Sequence, residues 1–272
     1  MTTLQWITVA ALAGGACSAV IAGLLSFSAR REWIPALVSF AVGALLGAAF
    51  LELLPHAFSA SSDPHRVAAT VLAGILGFFI LEKLVIWRHS HGEDMEDVGQ
   101  GGEAGGGHRE GTQHAGHAHS DHGRSGMLIL IGDSFHNFVD GILIAGAFME
   151  STQLGIVTAT AVIVHEVPQE VGDYLVLLHS GYGRIRAFSL NLAASGAMLI
   201  GSYAAYFGLR AAGGVVSTFI ALAAASMIYV AVADLIPGLH RRPELTSTVK
   251  QVLLIGIGVA LIALVGMLTR DV

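Results

Sequence analysis

The chain has 272 residues, 54% of them hydrophobic and only 12% charged, with a mean hydropathy of +0.68. A soluble domain carries about a quarter of its residues as charges, so most of this chain is expected where water is absent. The net charge of −6 is spread over too few groups to imply a nucleic-acid partner.

A helix crosses a bilayer core with about 20 apolar residues, because it satisfies its backbone groups within the segment. Eight apolar stretches meet that need, at 4–27, 34–58, 67–87, 126–149, 153–179, 186–210, 213–236 and 249–268. The expected fold class is therefore an all-α integral membrane protein with eight transmembrane helices. Its expected parts are spans 1–3 over 1–87, a polar loop over 88–125 and spans 4–8 over 126–272. The N-terminal run lacks a basic leader region and is too long for a signal core, which predicts a retained first span. The single cysteine, Cys17, lies in that span; it excludes an internal disulfide and is expected as a small buried residue.

Eleven of the fourteen Lys and Arg residues, from Arg30 and Arg31 to Lys250, border the connections after spans one, three, five and seven; Arg66, Arg210 and Arg270 lie on the other side. Basic residues favour the cytoplasm, which predicts both termini outside or lumenal. The second span ends Glu52-Leu-Leu-Pro55-His56, and the seventh ends Asp234-Leu-Ile-Pro237-Gly238. The two spans run in opposite directions, so the match predicts an inverted repeat relating spans 1–3 to spans 6–8. Glu52, His56 and Asp234 are candidates to line an access route.

The loop at 88–125 is Gly-rich and carries seven of the thirteen histidines, His89, His91, His108, His114, His117, His119 and His122. It cannot build a core and is expected to be disordered. Neutral imidazoles are common zinc ligands, so the tract is expected to buffer or sense metal.

The chemistry lies on the fourth and fifth spans. Asp133, His136, Asn137 and Asp140 fall at i, i+3, i+4 and i+7 and share one helix face. On the fifth span His165 with Gln169, and Glu166 with Glu170 and Asp173, make adjacent polar stripes. Ionisable groups inside a membrane span are costly unless paired, hydrated or bound to an ion. A divalent cation between the two helices would neutralise the acids and use imidazole nitrogen with carboxylate oxygen, a donor mixture that suits zinc and its neighbours. Asp133 and Asp173 are assigned to the access or gate. Pro168 leaves the carbonyl of Val164 without its helix partner, which would let the fifth span open beside the site.

At these residues the chain resembles the ZIP (Zrt/Irt-like) family of metal transporters, through His-Asn-Phe-x-Asp-Gly at 136–141 and His-Glu-x-Pro-x-Glu-x-Gly-Asp at 165–173. The second signature resembles the branch with Golgi and endoplasmic-reticulum members and many bacterial relatives. The resemblance implies a 3+2+3 helical bundle, often a homodimer in membrane lipid. It implies transport of zinc, and related ions such as cadmium or iron, toward the cytoplasm, with the metal as cargo and no cofactor. It implies a site of one or two metals built from His136, Asn137, Asp140, His165, Glu166 and Gln169, with Glu170 nearby. The expected location is a bacterial inner membrane, or the Golgi or endoplasmic reticulum in a eukaryote. Gln169 stands where this branch often has a second histidine, and His56 and Gly238 stand where relatives often carry an acid.

The competing readings are an intramembrane zinc hydrolase or protease, an exporter and a metal sensor. A hydrolase needs His-Glu-x-x-His, and here the second histidine position is Gln169, with Pro168 inside the ligand helix. An exporter of the cation-diffusion type needs a folded cytoplasmic domain for which no residues remain. Because metal ligands must be deprotonated to bind, zinc affinity is expected to fall as pH drops from neutral to about 5. Zinc titrations of the purified protein at both pH values check this, and equal affinities would contradict it.

Overall fold

A computed structural model describes residues 1–28, 33–94, 121–212, 216–240 and 245–270. The described residues form helices and connecting turns, without a strand. Eight helical segments follow in chain order: α1 (3–28), α2 (Ile34–Ala60), α3 (Pro64–Asp94), α4 (Asp121–Glu150), α5 (Thr152–His179), α6 (184–212), α7 (216–239) and α8 (Leu245–Leu268). Among the described residues, six of them contain a stretch long and apolar enough, by length and composition, to cross a membrane. The other two are α4 and α5, the helices that carry the ionisable stripes.

Helix occupies both ends of the polar stretch 88–125, since α3 continues to Asp94 and α4 starts at Asp121. Backbone hydrogen bonding stops later than the apolar run does. His108, His114, His117 and His119 lie outside the described residues, as do the side chains of His89, His91 and His122.

Local chemistry sets the turns. Thr2 and Gln5 close a reciprocal capping box on α1. The Asp63 carboxylate accepts the backbone N–H groups of His65 and Arg66 at the start of α3. Ser151 accepts from the N–H of Leu154 and is the single residue between α4 and α5, which makes those two helices a tight antiparallel hairpin. Gly181, at φ +87°, supplies the left-handed residue that turns α5 toward α6.

Among the described residues three helices contain π turns: Ala13–Cys17 in α1, Ala48–Leu53 in α2 and Val230–Leu235 in α7. The last two each hold an acid in fifth place, Glu52 and Asp234, with a proline three residues on. A proline ring clashes with the carbonyl four residues back and supplies no N–H; widening the preceding turn moves that carbonyl aside. In α1 the π turn places Gly14 and Gly15 inward, with Gly15 close to the backbone of Ser195. Cys17 is left exposed, which corrects the expectation that it is buried: the two glycines, not the cysteine, take the tight positions.

The core is built of small side chains, among them Ala44, Ala48, Ala145, Ala161, Ala223 and Ala224, with Leu45, Ile144, Met198 and Ile220. Small residues bring backbones together where lipid provides no hydrophobic drive. The closest crossings are α2 on α8, where Gly43 meets the backbone of Ile255 and Gly258 that of Phe40, and α4 on α6, where Gly141 meets Met198 and Gly201 meets Phe138. The other main pairings are α3 on α7, α1 and α2 on α5, and α4 on α5 and α7. Large apolar side chains point outward from α3 (Leu72, Leu76, Phe79) and α8 (Val252, Leu253, Ile257).

Candidate metal centre

The hairpin of α4 and α5 brings four of the expected residues to one point. His136 and Asp140, one turn apart on α4, face His165 and Glu166 on α5, and one ligand atom from each lies within 4.8 Å of all the others. Nε2 of His165 is 3.1 Å from Oδ2 of Asp140 and 3.4 Å from Oε1 of Glu166. Nε2 of His136 is 3.2 Å from Nε2 of His165, 3.5 Å from Oε1 of Glu166 and 3.7 Å from Oδ2 of Asp140. Donors bonded about 2.1 Å from a tetrahedral zinc stand about 3.4 Å apart, so these spacings fit two nitrogens and two oxygens around one ion.

Burial makes the arrangement specific. The Glu166 side chain is 0% exposed and those of His165 and Asp140 are 2% and 3%, while His136 at 21% is the most exposed of the four. Nδ1 of His165 faces the carbonyl of Ala161 at 3.1 Å. Only an N–H makes that contact, so Nε2 keeps its lone pair for the centre. Oδ2 of Asp140 and both oxygens of Glu166 are buried without a hydrogen-bond donor. Buried acceptors of this kind are costly, and a cation is the partner that the donor set fits.

The remaining expected ligands form the next layer. Asn137 donates from Nδ2 to the carbonyl of Asp133 at 3.2 Å and to its Oδ1 at 3.0 Å. Gln169 donates from Nε2 to the same Oδ1 at 3.4 Å, so the residue in the second-histidine position orients an acid beside the centre. Glu170 is buried but turned to α6, where Asn191 and Ser195 donate to its carboxylate. Pro168 lies inside α5 without ending it.

The candidate access residues lie elsewhere. His56 at the end of α2 pairs through Nε2 with Oε1 of Glu150 at 3.1 Å. Glu52 lies against Gly266 of α8, and Asp234 is exposed on α7. Asn191, Ser195 and Glu150 were not singled out from the sequence. A polar pair at 191 and 195, one turn apart in an apolar span, was the available signal for the first two.

A family model described as ZIP zinc transporter matches residues 3–266. The chain belongs to the ZIP zinc transporter family. Curated ZIP relatives agree over most of its length. It is 32% identical to the zinc transporter ZIP13 homolog of Drosophila melanogaster, across 88% of this chain and 79% of that protein. The zinc transporter ZIP13 of Pongo abelii is 29% identical, with 89% and 70% covered. The zinc transporter zipt-7.2 of Caenorhabditis elegans is 31% identical, with 84% of this chain but 57% of that longer protein covered. ZIP family membership makes this a multi-pass membrane transporter rather than an enzyme and sets the hydrolase reading aside.

Proposed function

We propose that the chain carries zinc toward the cytoplasm by alternating access through the His136, Asp140, His165 and Glu166 centre. The observation that carries this is the convergence of those two nitrogens and two oxygens, at zinc-ligand spacing, on two neighbouring helices of an otherwise apolar bundle. Asn137, Gln169 and Glu170 hold the layer beside it. Relatives named as zinc transporters support zinc as the cargo.

The architecture we infer is the 3+2+3 bundle with an inverted repeat, both termini outside or lumenal. Exchanging α1 with α6, α2 with α7, α3 with α8 and α4 with α5 maps the main pairings onto one another. The α2–α8 pair becomes α7–α3, α4–α6 becomes α5–α1, and α2–α5 becomes α7–α4. The π turns before Pro55 and Pro237 exchange as well. Rocking of one repeat against the other around α4 and α5 is the motion such a plan supports. The outward apolar belts on α3 and α8 meet lipid or a second copy of the chain.

Radioactive zinc uptake into proteoliposomes tests the reading, comparing the natural chain with His136→Ala and Glu166→Ala. Saturable uptake is expected from the natural chain, lowered at least about tenfold in each variant. Uptake unchanged in both variants places the route elsewhere.

A further inference from the structure

A groove away from the α4–α5 hairpin has a chemistry that ion transport does not use. It lies between the C-terminal turns of α1 and the first turn of α6, lined by Val20, Gly23, Leu24, Arg184, Ile185 and Phe188. The edge of the Phe188 ring rests on Gly23, where a Cβ would stand 2.8 Å from Cε2. Val20, Leu24 and Ile185 add exposed apolar side chains, and Ile185 is 84% exposed. The groove encloses about 200 Å³, on the scale of a cavity that takes a benzene-sized group. It fits a stretch of one hydrocarbon chain rather than a packed helix.

The rim is positive. The lining is carbon alone, so Arg184 meets the groove with the stem of its side chain. A long basic side chain placed in this way carries its charged end at the water boundary. Arg184 also opens α6, where no side chain caps the helix and no acid sits in the first turn; a helix start favours an anion. Residues 1–28 hold no charged side chain, and no acid occurs between Asp173 and Asp234. Both helices that form the groove are therefore without a carboxylate. Arg186 is turned over the Tyr182 ring, 5.2 Å from its centroid, and is not part of the lining. An apolar slot under an acid-free cationic rim, on the outside of a membrane bundle, complements a lipid with an anionic headgroup.

We propose that this groove binds an anionic phospholipid, with the phosphate on Arg184 and part of one acyl chain along Gly23 and Phe188. The site lies at the end of the bundle inferred to be cytoplasmic, the leaflet in which anionic lipids gather. A lipid held there braces α1 against α6, the two helices that the inferred repeat exchanges. The proposal goes beyond ion transport and stands whether or not the four-donor centre takes zinc.

The test is lipid binding to the full chain in detergent, read by native mass spectrometry with phosphatidylglycerol and phosphatidylcholine of the same acyl chains. The natural protein is expected to hold phosphatidylglycerol at least about fivefold more tightly. Arg184→Gln brings the two lipids within about twofold of each other, whereas Arg184→Lys keeps the preference because an ammonium also binds phosphate. Arg186→Gln leaves the preference in place. Leu24→Ala combined with Ile185→Ala weakens both lipids at least about threefold and keeps the preference. All four positions are exposed, so these variants do not disturb the core. Equal losses from Arg184→Gln and Arg186→Gln would mean diffuse surface charge and overturn the site. Binding unchanged in the double alanine variant, or no preference in the natural protein, overturns it as well. Displacement of phosphatidylglycerol by an equal concentration of inorganic phosphate does the same, since the ligand would then be a free anion.

Discussion

Replacing Glu166 by glutamine is expected to weaken zinc binding by about 100-fold or more, about 2.7 kcal/mol, while leaving the metal-free protein as stable as before or more so. Glu166 is wholly buried, and neither of its oxygens has a donor. Its nearest charged neighbours at the centre include Asp140, which also turns a donorless oxygen inward. An amide of the same shape removes that repulsion and the cost of holding a charge out of water. It also removes a negative ligand that zinc needs. Thermal melting with and without zinc reads both effects at once, since a ligand stabilises by an amount set by its concentration over Kd. The natural protein gains a zinc-dependent upward shift in Tm, and Glu166→Gln starts at the same Tm or higher with that shift lost. A variant that melts lower without metal and still responds to zinc would mean that Glu166 serves packing. The trade of stability for a functional charge recurs at binding sites.

Gly258→Val is expected to destabilise the folded protein by about 3 kcal/mol or more. A Cβ at 258 would collide with the carbonyl of Phe40 and stand 2.8 Å from the amide nitrogen of Ala44 and 3.0 Å from Cα of Gly43. These are backbone atoms, which cannot rotate away as a side chain does. The helices must separate, and with them the dense contact that fixes α2 and its π turn. Gly256→Val on the same helix is the control, because a Cβ there meets nothing within 4 Å. Yield and melting temperature in detergent separate the two. Equal behaviour of the variants would remove the α2–α8 crossing as a determinant of the fold.

The sequence by itself determined the fold class and made much of the candidate site legible. Lipid leaves backbone polar groups no partner but each other, so each span had to appear as a long apolar run, and the eight runs coincide with the eight helical segments. The same solvent makes a buried acid or imidazole conspicuous, which is why His136, Asp140, His165 and Glu166 stood out before any geometry was known. Helical spacing also placed Asp133, His136, Asn137 and Asp140 on one face.

The tertiary structure alone decided which of those groups meet. His165 and Glu166 are neighbours in sequence and point about 100° apart around a helix, yet both reach the centre, while Glu170, one turn from Glu166, faces α6. That division depends on how α5 is rotated against α4, α2 and α1, and rotation follows from packing of small residues far apart in the chain. Gly141 admits α6 against α4, which brings Asn191 and Ser195 to Glu170 across 21 and 25 residues of sequence. Cys17 was misjudged for the same reason, because a π turn shifts every following side chain around the helix axis. Composition and period record what each segment must avoid in lipid; the contacts between segments, set by shape, record what each residue then does.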